Sequence, residues 1–286
     1  MIKRVMALAS TYSNPRHWWG NVRWRFPTTI SELECVFVVG SPRSGTTLMQ
    51  RILSVHSELF SVESETGMFS YQNLFAPNRR HFGLAPDVLA SLYHECVDVV
   101  DFFQRATEIL VRQNEGRRFV EKTPQHILRL PFILKHFPNS KIVHIVRDGR
   151  DCFCSSKTHP DIPQNKSAKL FARYWRDCVR ACDVADSTGR LHTVKYESIC
   201  DTPRETIAEM MRFLEMETEH AQLDTDSVGN DHRASLPEFQ RLSKRVDASS
   251  VGRWRDELSR LEIDQFQKIA GQQLRRYQYE LLATPH

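Results

Sequence analysis

The sequence predicts an α/β protein, a single domain with a P-loop-like parallel β-sheet flanked by helices. Short apolar runs of strand length alternate with helical stretches along the chain, which is the pattern of βαβ units. The first run, Cys35 to Val39, is apolar at every position, as a strand covered on both faces requires. It leads directly into the turn Gly40 to Thr47, bracketed by Gly40 and Gly45, and a helix start. Such a turn lets backbone N–H groups converge on an anion at the N-terminus of a helix.

Each element follows in order. Thr46 to His56 carries Leu48, Ile52, Leu53 and Val55 on one side of a helix, and Leu59 to Val62 is a second strand. Residues 72 to 87, with Pro77, Pro86, Asn73 and Asn78, read as a loop. Asp87 to about Asn114 is a helical region broken once and ending near Gly116, before a strand over Arg118 to Glu121. Pro124 opens a helix that Pro138-Asn139 ends, and Lys141 to Val146 is the next strand. Helices near Arg150 to Ser156 and Ala168 to Asp186 precede a strand at Leu191 to Lys195. Ile207, Met210, Met211 and Leu214 give Pro203 to Leu214 one apolar face. Thr218 to Ser250 is polar and loop-rich, and a final helix spans roughly Ile263 to Leu282.

Composition bounds the function. A chain of 286 residues with 41% hydrophobic content can bury a sizeable core. A net charge of +4 suits anionic ligands but not the dense basic stripe of a nucleic-acid binder, so no nucleic-acid partner is expected. Seven cysteines, lying in or beside apolar segments, read as reduced core thiols, and no second ligand pair accompanies Cys178 and Cys182 or Cys152 and Cys154, so no metal site is expected. The absence of a long apolar window or a signal-peptide core predicts a cytoplasmic protein. Residues 1 to 31 hold Lys3, Arg4, Arg16, Arg23 and Arg25, no acid, and Trp18, Trp19, Trp24 and Phe26. They are read as an N-terminal basic and aromatic strap on a domain spanning 32 to 286, with peripheral membrane contact as the alternative.

In a parallel sheet the chemistry lies beyond the carboxyl ends of the strands. The turn after the first strand has Arg43 and Ser44 ahead of Gly45, Thr46 and Thr47, and where a Walker A motif has lysine it has Thr46. The planar fork of Arg43 suits a single phosphate or sulfate. After Val146 come Arg147, Asp148, Gly149, Arg150 and Asp151, with Ser155 further along the helix. Arg147 and Ser155 are read as a second phosphate site, and two such sites on adjacent strands indicate a bisphosphorylated nucleotide.

The loop PRSGTT, the run VEKTPQH and the segment IVRDGRDCFCSS, in this order and spacing, resemble the 3′-phosphoadenosine 5′-phosphosulfate (PAPS) dependent sulfotransferases, in particular the carbohydrate, tyrosylprotein and bacterial branch. The resemblance covers roughly residues 35 to 156 and extends more weakly through Lys195-Tyr196-Glu197 and Ser250 to Trp254. It implies that PAPS is the donor, that 3′-phosphoadenosine 5′-phosphate (PAP) is the product, and that a hydroxyl of a glycan, glycolipid, peptide tyrosine or metabolite is the acceptor. It also implies that Arg43 to Thr47 hold the 5′-phosphosulfate and that Arg147 and Ser155 hold the 3′-phosphate. Tyr196 is placed near the adenine, and Gly252 with Arg253 in a late loop over the nucleotide. Glu65 is implied as general base, with Glu63 as the alternative, and Lys122 as the cation at the transferred sulfuryl group. His126 matches the base of the small-phenol branch less well than a core or capping role.

Departures from the family pattern are Leu48 and Arg43 where the aryl and steroid branch has tryptophan and lysine, Ser57 after the helix-ending His56, and Gly149 in place of a frequent proline. The last two put loop shape in question. The acceptor pocket is expected from Gly67 to Pro86 and His159 to Lys169. Two readings stand beside transfer: a nucleotide kinase or NTPase using Asp148 for magnesium, and a non-catalytic nucleotide-binding module.

Overall fold

The computed structural model describes residues 26–70, 82–159, 162–224 and 250–283. Five strands, β1 (Val36–Gly40), β2 (Leu59–Ser61), β3 (Arg118–Lys122), β4 (Lys141–Val146) and β5 (Leu191–Lys195), form one sheet in the order β2-β3-β1-β4-β5. Every pairing is parallel. The chain crosses from β3 over β1 to β4, so the carboxyl ends of β3, β1 and β4 lie side by side where the winding reverses, which is where open α/β sheets bind ligands.

Alternation along β1 feeds two cores. Phe37 and Val39 enter one cluster with Phe69, Phe103 and Phe137, and Val36 and Val38 enter another with Leu48, Ile52 and Met210. The first is covered by α2 (Pro86–Glu95), α3 (Val99–Gln113) and α4 (Leu130–His136), the second by α1 (Thr46–Ser54) and, after β5, by a helix over Pro203–Phe213. A third cluster, around Trp175, Trp254 and Phe266, joins α5 (Gly149–Ser156), α6 (Ala168–Arg180) and the C-terminal helices.

The break expected within 87–114 falls at Cys96 to Asp98. Asp98 caps α3, its Oδ1 accepting the N–H groups of Val100 and Asp101 at 2.9 and 3.1 Å. The Pro124 helix starts as a 3₁₀ turn over Pro124–Arg129 before α4, because Pro131 can enter an α-helix only in its first turn. Two short helices, α7 (Tyr196–Asp201) and, after α8 (Pro203–Phe213) and α9 (His220–Leu223), α10 (Trp254–Glu257), had too few residues to show a period. The last helix, α11 (Arg260–Arg276), begins at a Ser259/Glu262 capping box and stops before the expected Leu282, at Tyr277 and a left-handed Gln278 with φ 61°.

Both turn departures have local explanations. A Cβ on Gly149 would lie 2.5 Å from Trp175 Cδ2 and 2.7 Å from Phe266 Cζ, so the packed third cluster demands glycine there. At Ser57 both the N–H and the hydroxyl donate to Glu219. No disulfide joins the seven cysteines, and six of them are buried. Of the N-terminal segment, residues 1 to 25 lie outside the described residues; beyond them Thr28 and Thr29 donate backbone N–H bonds to Asp98 Oδ2, both at 3.0 Å.

Candidate active site

The turn after β1 is shaped by backbone that side chains resist. Arg43 has φ 71° and Gly45 φ 103°. A Cβ on Gly45 would sit 2.5 Å from Tyr196 Cδ2, and one on Gly40 would sit 2.5 Å from the Ile145 carbonyl of β4. Tight approach explains both glycines, and at Gly45 left-handed geometry adds to it. No side chain caps α1, so its first N–H groups remain available to an anion. Ser44 Oγ is buried without a hydrogen-bond partner; Thr46 is buried and Thr47 half-buried.

At the end of β4, Arg147 donates from Nη1 to the Arg43 carbonyl at 3.4 Å and from Nη2 to the Ser250 carbonyl at 2.5 Å. Its guanidinium lies 4.4 Å from the centroid of the Tyr196 ring, and its Nε is buried without a hydrogen-bond partner. Tyr196, in the first turn of α7, therefore packs between Gly45 and Arg147, and its hydroxyl meets Ser250 Oγ at 3.0 Å. Burial raises the Tyr196 phenol above its usual range, so the ring stays neutral. Arg43 Nε donates to Ser155 Oγ at 3.0 Å, which joins the glycine turn to the Arg147 helix.

The structure thus brings Arg43, Ser44, Gly45, Thr46, Thr47, Arg147, Ser155 and Tyr196 to one place. Gly252 reaches it through Asp151, whose Oδ2 accepts the Gly252 N–H at 2.7 Å and whose Oδ1 accepts the Trp254 N–H at 3.0 Å. Burial raises the Asp151 carboxyl above its ordinary value, with these two bonds and Arg147 opposing the shift. Arg253 instead forms a two-pronged pair with Glu257, at 2.8 Å for each prong. The neighbouring Arg150 is fully buried, forked onto Asp148 and stacked 3.6 Å from the centroid of the Trp254 ring, a structural role inside the cluster.

The second half of the site lies at the ends of β2 and β3. Lys122 Nζ donates to Glu65 Oε1 at 2.8 Å, with the lysine side chain 6% and the glutamate 33% exposed, so the pair sits at the boundary of core and solvent. Glu63 is exposed. His126 is fully buried, and both ring nitrogens are engaged: Nε2 accepts the Phe69 N–H at 3.1 Å, and Nδ1 lies 2.9 Å from Glu121 Oε2. An Nε2 that accepts leaves the proton on Nδ1, so the ring is neutral and donates to Glu121.

Sequence reasoning missed Ser250, Asp151 as the tie to the late loop, and Glu121 with Thr66 and Thr123. Buried carboxylates have no periodic signature. A glutamate directly after the apolar pair Phe119-Val120 at the end of the expected strand was the one available signal. Ser70 Oγ and Gln125 Oε1, on the same two segments as Glu65 and Lys122, are buried without hydrogen-bond partners. Among the described residues no group of His, Cys, Asp and Glu is arranged to hold a metal ion, and no helix is long and apolar enough to cross a membrane.

The sequence profile of the Sulfotransferase family matches residues 35–220. The chain belongs to the sulfotransferase family. It is 23% identical over 279 residues to protein-tyrosine sulfotransferase 1 of Danio rerio, covering 89% of this chain and 74% of that protein. It is 24% identical to an uncharacterized protein of Aquifex aeolicus, covering 86% of this chain but 34% of the relative. A putative protein-tyrosine sulfotransferase of Caenorhabditis briggsae is 27% identical over 64% of this chain and 66% of its own length. The chain therefore spans about a third of the Aquifex relative and just under two thirds of the Caenorhabditis one. Among solved structures, the sulfotransferase domain of the curacin biosynthetic pathway superposes with a TM-score of 0.66 at 18% identity, over 88% of this chain and all of that domain. The sulfotransferase domain of the Synechococcus olefin synthase gives 0.65 at 20% identity, over 91% and 99%. These likenesses establish the sulfotransferase fold.

Proposed function

We propose that this chain transfers a sulfuryl group from PAPS to a hydroxyl acceptor, with Glu65 as general base and Lys122 as the cation at the reacting centre. The observation that carries the reading is the Glu65–Lys122 contact of 2.8 Å at the strand ends, beside the turn that leads to Arg147 and Ser155. The residues fit a nucleotide bearing two phosphate groups. The uncapped start of α1 and the partnerless Ser44 Oγ supply donors at one end, and Arg147, with its partnerless Nε, and Ser155 supply them at the other. A mouse sulfotransferase of the same fold was solved with PAP, at a TM-score of 0.55 and 14% identity.

PAPS supplies an activated sulfuryl group whose bond to the bridging phosphate oxygen breaks as the acceptor oxygen bonds to sulfur. Glu65 takes the proton that the acceptor hydroxyl loses. Lys122 balances the negative charge that builds on the departing oxygen, and its burial strengthens that interaction. The basic and aromatic segment 1 to 31 is proposed as a strap on the domain, with peripheral membrane contact as the alternative.

The test combines binding with product detection. PAP should raise the melting temperature more than adenosine monophosphate or ATP, because only PAP fills both phosphate sites. Labelled PAPS, supplied with tyrosine peptides, glycans and lipid extracts in separate arms, should yield a sulfated product that Glu65→Gln abolishes while PAP binding persists. Equal stabilisation by the three nucleotides, or undiminished product from Glu65→Gln, would reject the assignment.

A further inference from the structure

Directly behind the Glu65–Lys122 pair lies a polar network without solvent contact. Glu121 is fully buried in β3. Its Oε1 accepts the hydroxyls of Thr66 at 2.6 Å and Thr123 at 2.7 Å, and its Oε2 accepts Nδ1–H of His126 at 2.9 Å. Thr123 Oγ1 in turn accepts the Gly67 N–H at 3.0 Å, and His126 Nε2 accepts the Phe69 N–H at 3.1 Å. Burying a carboxylate inside an aromatic cluster costs several kcal/mol unless its lone pairs are filled, and here three donors fill them. Apolar residues could pack the same volume without that cost, so the network needs a purpose other than stability.

The connections identify that purpose. Three bonds tie the 66–69 segment to the 121–126 segment, the Thr66 hydroxyl and the Gly67 and Phe69 N–H groups donating to Glu121, Thr123 and His126 in turn. Glu65 immediately precedes the anchored Thr66, and Lys122 lies between Glu121 and Thr123. We propose that Glu121 and His126, through Thr66 and Thr123, form a positioning clamp that hangs the 66–69 segment from the end of β3 and so fixes Glu65 against Lys122. The inference rests on the transfer reading for its catalytic consequence, not for its geometry. The clamp works in one direction of hydrogen bonding: the Phe69 N–H fixes the His126 tautomer, and that tautomer requires an acceptor at position 121. A glutamine there loosens the chain. With its Oε1 on the His126 Nδ1–H, its Nε2–H₂ must donate to the Thr66 and Thr123 oxygens, so both hydroxyls lose their acceptor and the charge that strengthened all three bonds is gone; the opposite amide orientation sets Nε2–H₂ against Nδ1–H, and a switched His126 tautomer sets its Nε2–H against the Phe69 N–H.

Two kinds of measurement test the clamp. Amide hydrogen exchange and the ¹⁵N shifts of the His126 ring need neither donor nor acceptor. The Gly67 and Phe69 amides should be protected and His126 should be the neutral Nδ1–H tautomer. In Glu121→Gln the exchange of those two amides should accelerate at least tenfold while Phe37 and Val38 in β1 stay protected. In the labelled-PAPS assay, Glu121→Gln should lower kcat at least tenfold with the KM for PAPS within twofold, since the clamp touches none of the nucleotide-binding residues. Thr66→Val, which removes one donor and keeps the volume, should lower kcat threefold to tenfold in a protein that still folds, with its melting temperature lowered by less than that of Glu121→Gln, and it serves if Glu121→Gln does not fold. Unchanged exchange at Gly67 and Phe69, or loss of PAP affinity in step with kcat, would overturn the clamp. Protected amides and the Nδ1–H tautomer in a wild-type protein that sulfates nothing would uphold the clamp's geometry and reject the transfer reading instead.

Discussion

Two residues in the nucleotide half of the site have little freedom to change. Gly45 combines φ 103° with a Tyr196 ring 2.5 Å from any added Cβ. Gly45→Ala carries a left-handed penalty of about 1–2 kcal/mol, and it must also push Tyr196 away from Arg147. PAP affinity, measured by calorimetry, should fall at least tenfold, and Tyr196→Phe, which keeps the ring and loses the hydroxyl's bonds to Ser250 and Cys200, should lower it far less. Arg147 is equally constrained, because it holds the Arg43 and Ser250 carbonyls from two nitrogens while stacking on Tyr196. Arg147→Lys keeps the charge and loses the fork and the stacking plane. Hydrogen bonds to charged groups contribute about 1.5–3 kcal/mol, so a tenfold to hundredfold loss of PAP affinity is expected, read by the same titration.

At the scale of elements, Asp98 does two jobs with two oxygens. Oδ1 caps α3, and Oδ2 gathers the N–H groups of Thr28 and Thr29 and the Thr29 hydroxyl at 2.8 Å. Asp98→Ala removes a cap worth about 1 kcal/mol together with the tether of residues 28 and 29, and chemical denaturation should show a loss above that of a cap alone. Proteolysis near Phe26 should accelerate in the same variant. This element also marks what the sequence could convey. The break in 87–114, the strand ends and the glycine turn were legible because apolar period, proline and glycine act within a few residues. The 70-residue reach from Asp98 to Thr28, and the tie of Asp151 to Gly252, depend on tertiary proximity that no local pattern encodes. The site divided likewise. Arg43, Arg147 and Ser155 stood out by position at strand ends, whereas the engagement of Arg253 with Glu257 and the burial of His126 beside Glu121 emerge only from packing.

Across the whole molecule, the buried carboxylates set the response to acid. Burial alone would raise Glu121, but the electrostatic attraction of His126 and then the His126, Thr66 and Thr123 bonds outweigh it and hold its carboxyl below the ordinary glutamate value of 4.5. Burial also works against Asp98, and the bonds from Thr29, Asp101 and Thr28 prevail there, holding it below 3.8. A carboxyl depressed in the folded state contributes stability that is present above its unfolded value and is lost as pH falls through the folded one. The protein should therefore lose stability below about pH 4.5, by up to about 1.4 kcal/mol per pH unit for each such group. Asp151 has the opposite sign: its carboxyl is raised, so its contribution is complete below 3.8 and declines as pH rises through the folded value. Within the acid window it therefore offsets nothing that Glu121 loses once pH is under 3.8. Glu121→Gln removes a titrating group from the window, so its stability, although lower at neutral pH, should fall less steeply on acidification than the wild type. Urea denaturation at steps from pH 6 to pH 3.5 measures both slopes. Parallel slopes would mean that Glu121 titrates alike in the folded and unfolded chain, and that the bonds around it do not favour its charged form.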